Sequence, residues 1–179
     1  MTGPGRKFGV LVFGSALFAA LALALLPGGL ELRITPLGAK EPILVLPLEP
    51  GERFTLHYYH SVEDSPIWEE HSLNEDGRIF VEEERYLKVG AGMGYLPGRG
   101  RMVRRGIFEA IENMHSPTGN FILRVGAKSV AHTIIWRGTR TDLSARWSGK
   151  AVRFMGRKIS LAERLWRYFR PHPRTPVTE

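Results

Sequence analysis

Nineteen consecutive residues, Phe8 to Leu26, carry no charge, and Ser15 supplies the one hydroxyl among them. As a helix this stretch would be roughly 28 Å long at about 1.5 Å per residue, close to a hydrocarbon core of ~30 Å. Arg6 and Lys7 stand just before it and Pro27-Gly28-Gly29 breaks it afterwards. Two positive charges in front favour a cytoplasmic amino terminus, with everything after Gly29 outside. The competing reading is a cleaved signal peptide, whose apolar region runs about 7–15 residues before small residues at a cleavage site. Ala22-Leu23-Ala24 offers such a site. Length favours an uncleaved anchor, and either route exports the body. The expected location is the inner membrane, single-pass, with the carboxyl-terminal domain periplasmic or extracellular.

A chain of 179 residues has room for one ordinary domain with appendages. It holds no cysteine, which excludes disulfides, thiolate metal sites, cysteine nucleophiles and lipid anchors on cysteine. The net charge of +7 is unevenly spread. Residues 31–145 carry 14 basic and 16 acidic side chains, whereas residues 146–179 carry 9 and 2. The excess therefore lies in a tail, and a basic nucleic-acid-binding domain is not implied. Three regions follow: an anchor or signal segment at 1–29, an exported β domain at 30–158, and a basic helix and tail at 159–179.

The body reads as strands. A linker punctuated by Pro36, Pro42, Pro47 and Pro50 contains the short apolar run Ile43–Leu48. From Arg53 to His60, Phe54, Leu56, Tyr58 and His60 share one face while Thr55, His57 and Tyr59 share the other, a period of two. Ile67–Leu73 and Arg78–Val89 flank Asn74-Glu75-Asp76-Gly77, a hairpin turn signal. Glu82, Glu83 and Glu84 are expected at a solvated edge or a bulge. Phe121–Val125, Val130–Trp136 and Val152–Met155 are further short runs. The expected fold is mainly β, a small antiparallel sandwich or barrel, with an N-terminal transmembrane helix and a short C-terminal amphipathic helix. That last helix opens at Ser160-Leu161-Ala162-Glu163, a capping-box pattern. Leu161, Leu165, Tyr168 and Phe169 recur on one face and Arg164, Arg167 and Arg170 on the other, before Pro171. The arginines are candidates for docking on a membrane or a partner, including anionic lipid.

The segment richest in reactive side chains runs from His57 to His71. His60, Glu63, Glu69 and His71 are donors that a metal or small ligand could use if strands brought them together. Their spacing matches no metal signature, so a hydrogen-bonded network in which His60 and Glu69 hold a turn against the sheet is favoured, with no metal and no cofactor expected. Ser61 beside His60 is no catalytic pair, since neighbours on a strand face opposite ways. No G-x-S-x-G elbow occurs. Gly90-Ala91-Gly92-Met93-Gly94 lacks the third glycine of a dinucleotide loop, for Tyr95 and Pro97 stand where it should be. A tight turn or a close approach explains these glycines better. Arg99, Arg101, Arg104 and Arg105 are read as a basic loop.

The run H-S-V-E-D-S-P-I-W-E-E-H followed by G-A-G-M-G resembles a bacterial family, domain of unknown function 1850. The matching positions are His60, Ser61, Val62, Glu63, Pro66, Ile67, Glu69, Gly90, Ala91 and Gly92. The resemblance covers about residues 43–156. It implies a small exported or anchored β domain, often encoded beside tripartite ATP-independent periplasmic (TRAP) transporters of the TAXI subtype. The implied role is that of a non-enzymatic accessory subunit, with transporter membrane subunits or a solute-binding protein as partners. His60, Ser61, Glu63, Pro66, Glu69, Gly90 and Gly92 are then the candidate partner or ligand residues. The alternative is an extracytoplasmic metal- or small-ligand-binding module using His60, Glu63, Glu69 and His71. The arginine-rich tail after Gly156 departs from the family pattern.

Overall fold

Alternating burial organises the chain into strands. A computed structural model describes residues 18, 21–87 and 98–169. They fall into two units, Leu30–Arg157 and a smaller one from Met1–Gly29 and Lys158–Glu179. In the larger unit two sheets share one core. The first has four strands in the order β2 (Leu44–Leu48), β1 (Pro27–Pro36), β12 (Ala151–Ser160) and β9 (Phe121–Arg124). The second runs β11 (Thr139–Asp142), β10 (Thr133–Trp136), β3 (Arg53–Tyr59), β4 (Pro66–Leu73), β5 (Ile79–Tyr86), β7 (Phe108–Glu112) and β6 (Arg101–Arg105). The two-residue β8 (Ser116–Pro117) also pairs with β5. Helix α1 (Ser144–Trp147) is a single turn, and α2 (Leu161–Phe169) belongs to the smaller unit.

Leu30, Leu32 and Ile34 of β1, Leu46 and Leu48 of β2, and Val152 and Phe154 of β12 meet Phe54 and Leu56 of β3, Leu73, Ile79 and Ile134. This is the sandwich alternative of the expected β fold. The stretch from Leu30 to Pro36, which the sequence reading did not single out as a strand, is an inner strand of the four-stranded sheet. Its alternation of Leu30, Leu32 and Ile34 outweighs the flanking Pro and Gly, because burying three aliphatic side chains is worth several kcal/mol.

The expected hairpin forms around Asn74. Its Oδ1 accepts from the backbone N–H of Asp76 at 3.0 Å and of Arg78 at 2.9 Å, while Gly77 takes φ +77°. Only glycine suits that dihedral without strain, and a Cβ there would also lie 2.7 Å from the Cα of Arg157. On the facing strand a Cβ at Gly156 would lie 2.2 Å from the carbonyl oxygen of Gly77, so the hairpin tip rests directly on β12.

Between β4 and β5 the register shifts at Glu70/His71: Glu70 opposes Glu83, whereas His71 opposes Val81. Glu82 is the extra residue of this bulge. The glutamate run therefore does mark a bulge, but not a solvated edge, because β5 lies inside the sheet. The basic loop is corrected as well. Arg101–Arg105 form β6, an edge strand in which Arg101 and Arg105 pair with Glu112 of β7.

Candidate functional site

Facing residues of an antiparallel pair share a face, so register decides where each polar group of β4 points. Phe54 opposes His71, Leu56 opposes Glu69 and Tyr58 opposes Ile67. Because Phe54 and Leu56 belong to the core, Glu69 and His71 turn inward with them. Across β5, Glu84 lies opposite Glu69 and Tyr86 opposite Ile67, on the same inner face.

The inward glutamate is saturated by its neighbours. Tyr58 donates its hydroxyl to Glu69 Oε1 at 2.7 Å, and His71 Nε2 meets Glu69 Oε2 at 3.1 Å. The imidazole of His71 is buried and stacked between Phe54 at 5.2 Å and Phe121 at 5.9 Å, which fixes its plane toward the carboxylate. Phe121 in turn stacks on Phe154 at 4.6 Å, carrying the ladder across to β12. Burial pushes the Glu69 carboxyl up, but the hydrogen bond and charge of His71, with the hydroxyl of Tyr58, outweigh it and hold it below its usual range. Burial and then the Glu69 charge push the Tyr58 hydroxyl up, so it stays a proton donor.

His132 completes the cluster, its ring 5.2 Å from that of Tyr58. The amide of Gly126 donates to His132 Nδ1 at 2.9 Å, which puts the neutral ring's proton on Nε2. Burial lowers its pKa, against the opposing pull of Glu69. Glu84 moves the other way: burial first, then the neighbouring Glu69 charge, raise it. Two adjacent carboxylates are thus driven apart in acidity, one held ionised and one biased toward its acid.

The remaining reactive-looking residues occupy a different place. His60 follows the last residue of β3 and opens the turn into β4, closed by the His60 amide donating to Ser65 O at 2.9 Å and the Asp64 amide to His60 O at 2.9 Å. His60 Nδ1 accepts from the amide of Glu63 at 3.2 Å. Ser61 and Glu63 are exposed in that turn, and Pro66 begins β4. Glu69 sits three residues farther along, about 10 Å at ~3.3 Å per residue. The four candidate ligands therefore separate into a pair in the turn, half-buried His60 with exposed Glu63, and a pair on the inner face of the sheet, half-buried Glu69 with buried His71. The expected turn braced by His60 and Glu69 does not form, because register pairs Glu69 with Leu56 rather than with the turn. Among the described residues no three His, Asp or Glu side chains converge as a metal would require. Gly90 and Gly92, with the rest of that glycine run, lie outside the described residues, as does Arg170. Arg164 and Arg167 fall in α2, which opens with the expected capping box: the Glu163 amide donates to Ser160 Oγ and the Ser160 amide to Glu163 Oε2, both at 3.2 Å.

Sequence reasoning missed Tyr58, Glu84 and His132 as partners of Glu69. Strand alternation puts Tyr58 on the Phe54 face, a signal available in advance; Glu84 and His132 depend on long-range pairing. It also missed an aromatic band on the opposite face of the larger sheet. There His57 lies 5.0 Å from Trp68 and 5.4 Å from Tyr59, and Trp68 lies 5.5 Å from Phe108. The Arg85 guanidinium stands 5.8 Å over the Trp68 ring. Glu70 and Glu83, which face each other there, are held by Arg85 and Arg53.

No curated protein and no solved structure matches the chain. One family model matches residues 54–143, half of the chain, from the start of the Phe54 face through Glu69, His71, Glu84 and His132. The chain belongs to the family described as domain of unknown function (DUF1850).

Proposed function

We propose that this chain is a non-enzymatic accessory subunit of a TAXI-type TRAP solute transporter, anchored in the membrane with its β domain outside the cytoplasm. The observation that carries the non-catalytic part is where the reactive groups are used. Glu69 has both oxygens occupied by Tyr58 and His71, and the ring nitrogen of His60 that could act as a base caps its own turn. Neither arrangement presents a nucleophile beside a free base. On the opposite face of the larger sheet, exposed Tyr59 and half-buried Trp68 and Phe108 gather around buried His57, and clustered aromatics beside arginine suit a protein partner. The class of transporter rests on the resemblance of His60-Ser61-Val62-Glu63 and the residues after it. An anchor at Phe8–Leu26 would hold the domain near the membrane subunits, so that a weak docking surface suffices. Most of that segment lies outside the described residues; residues 18 and 21–25 are helical. Among the described residues no helix is long and apolar enough to cross a membrane.

Deleting the gene and measuring transporter membrane subunits in the membrane fraction tests the role. Loss of those subunits or of uptake supports it; unchanged abundance and unchanged uptake contradict it. A second reading, an extracytoplasmic ligand- or metal-binding module, draws on the inward-facing Glu69–His71 pair at 3.1 Å. Metal analysis of the purified chain decides the metal form of it: stoichiometric metal lost on Glu69→Gln would favour it, and substoichiometric metal would end it.

A further inference from the structure

The smaller unit, residues 1–29 with 158–179, keeps large apolar side chains outside. In α2, Leu165, Trp166 and Phe169 are 40%, 61% and 76% exposed. Phe18, Leu21, Leu25 and Leu26 are exposed too, at the end of the uncharged amino-terminal stretch. These two apolar pieces are joined backbone to backbone. The Leu161 amide, first in α2, donates to the carbonyl of Leu26 at 2.9 Å. Arg164 Nη1 donates to the carbonyl of Gly28 at 3.2 Å, and a Cβ on Gly28 would lie 2.2 Å from Ser160 O. The start of α2 is therefore pinned where the uncharged stretch ends.

We propose that α2 lies on the surface of a bilayer containing anionic lipid, with Leu165, Trp166 and Phe169 in the interface and Arg164 toward lipid phosphates. This rests on the reading of Phe8–Leu26 as an uncleaved anchor. If that stretch spans, Leu26 leaves the hydrocarbon at its outer edge, and the Leu161–Leu26 bond sets α2 at the same depth. Tryptophan prefers that depth, and arginine reaches phosphates from it while its stem stays in the apolar zone. Helix α2 has nine residues and is too short to hold its shape in water without a covered face. Between Lys158 and Arg170 the chain carries Lys158, Arg164, Arg167 and Arg170 against Glu163 alone, a balance that suits anionic headgroups. Arg164 gives one N–H to Gly28, and a guanidinium carries five such donors, which suits phosphate chemistry.

The chain has no cysteine, so Phe169→Cys gives a unique labelling site. The full-length variant would carry an environment-sensitive fluorophore in vesicles of phosphatidylcholine, with or without phosphatidylglycerol. The label should be shielded from an aqueous quencher in the phosphatidylglycerol vesicles, less so in pure phosphatidylcholine or high salt. Arg164→Gln should weaken the shielded state about fivefold, and Arg164→Lys should largely retain it. A label at Trp166→Cys repeats the measurement should Phe169→Cys disturb the helix. Labels open to the quencher in both vesicles, on a chain that resists alkaline extraction, overturn the proposal while leaving the anchor standing. A chain stripped from vesicles by alkali overturns both. Shielding indifferent to phosphatidylglycerol and to Arg164→Gln removes the anionic-lipid assignment. Shielding found only in native membranes gives the surface to a protein partner instead.

Discussion

Two histidine–glutamate pairs lie within twelve residues of each other and do different work. His71 and Glu69 are held inside the sheet, with the ring clamped between Phe54 and Phe121 and the carboxylate bonded at both oxygens. His60 and Glu63 sit in an exposed turn, where the histidine accepts a single backbone N–H. The residue types are the same; register assigns one pair to the inner face of the sheet and leaves the other in a turn. An ionised carboxylate in the interior must be fully hydrogen-bonded, while one in water need not be. Sequence proximity of such residues is accordingly poor grounds for a shared site.

The largest effect should come from Glu69. Glu69→Ala strips an acceptor from both Tyr58 and His71, and should cost roughly 2–4 kcal/mol in chemical unfolding. Wild-type stability would mean that the inner network does not hold the sheet. Tyr58→Phe removes one donor and keeps the ring, so a loss of about 1–2 kcal/mol is expected, and in a double-mutant cycle with Glu69→Ala the two should not add.

Acid should act on both faces of the larger sheet. His132 and His57 have pKa values pushed below 6.5, by burial in each case and by Arg140 as a second cause for His57. The unfolded chain therefore takes up their protons first, and stability should fall as pH drops below about 6.5 toward their folded values. Glu69, held below 4.5, adds stability above that pH which is lost as pH falls through its folded pKa. Glu84, raised above 4.5, runs the opposite way: what it contributes is present below that pH and lost as pH rises through its folded value. A melting-temperature profile should show the first decline near neutrality. His132→Gln should flatten that upper limb; an unchanged limb would place the titration elsewhere. The smallest effect belongs to the turn. His60→Ala deletes one acceptor of a backbone N–H in the turn and should cost about 0.5–1 kcal/mol, while a cost equal to that of Glu69→Ala would erase the distinction between the pairs.

Much of the larger sheet was legible from alternation alone. Phe54, Leu56 and Tyr58 mark one face of β3, Asp76-Gly77 marks the hairpin, and Ser160 with Glu163 marks the start of α2. Less was legible where two signals conflict. In β1, Leu30, Leu32 and Ile34 alternate plainly, but Pro27-Gly28-Gly29 and Pro36 mask them, and an intervening Glu31 discourages an inner strand. Glu31 is in fact only 1% exposed and is held by Arg157 at 2.7 Å, a partner 126 positions away. The orientation of Glu69 was not legible for a related reason. Trp68, Glu69, Glu70 and His71 do not alternate, so their faces follow from register with β3 and from the bulge at Glu82, both set by long-range pairing.

Affinity purification of the full-length chain from its native membrane in mild detergent, read by mass spectrometry beside Trp68→Ala, tests the central claim most directly. The accessory role predicts that transporter membrane subunits or a solute-binding protein co-purify with the chain, and that Trp68→Ala loses most of that yield while remaining folded. Recovery of an intact, correctly folded chain with no transporter component would contradict it.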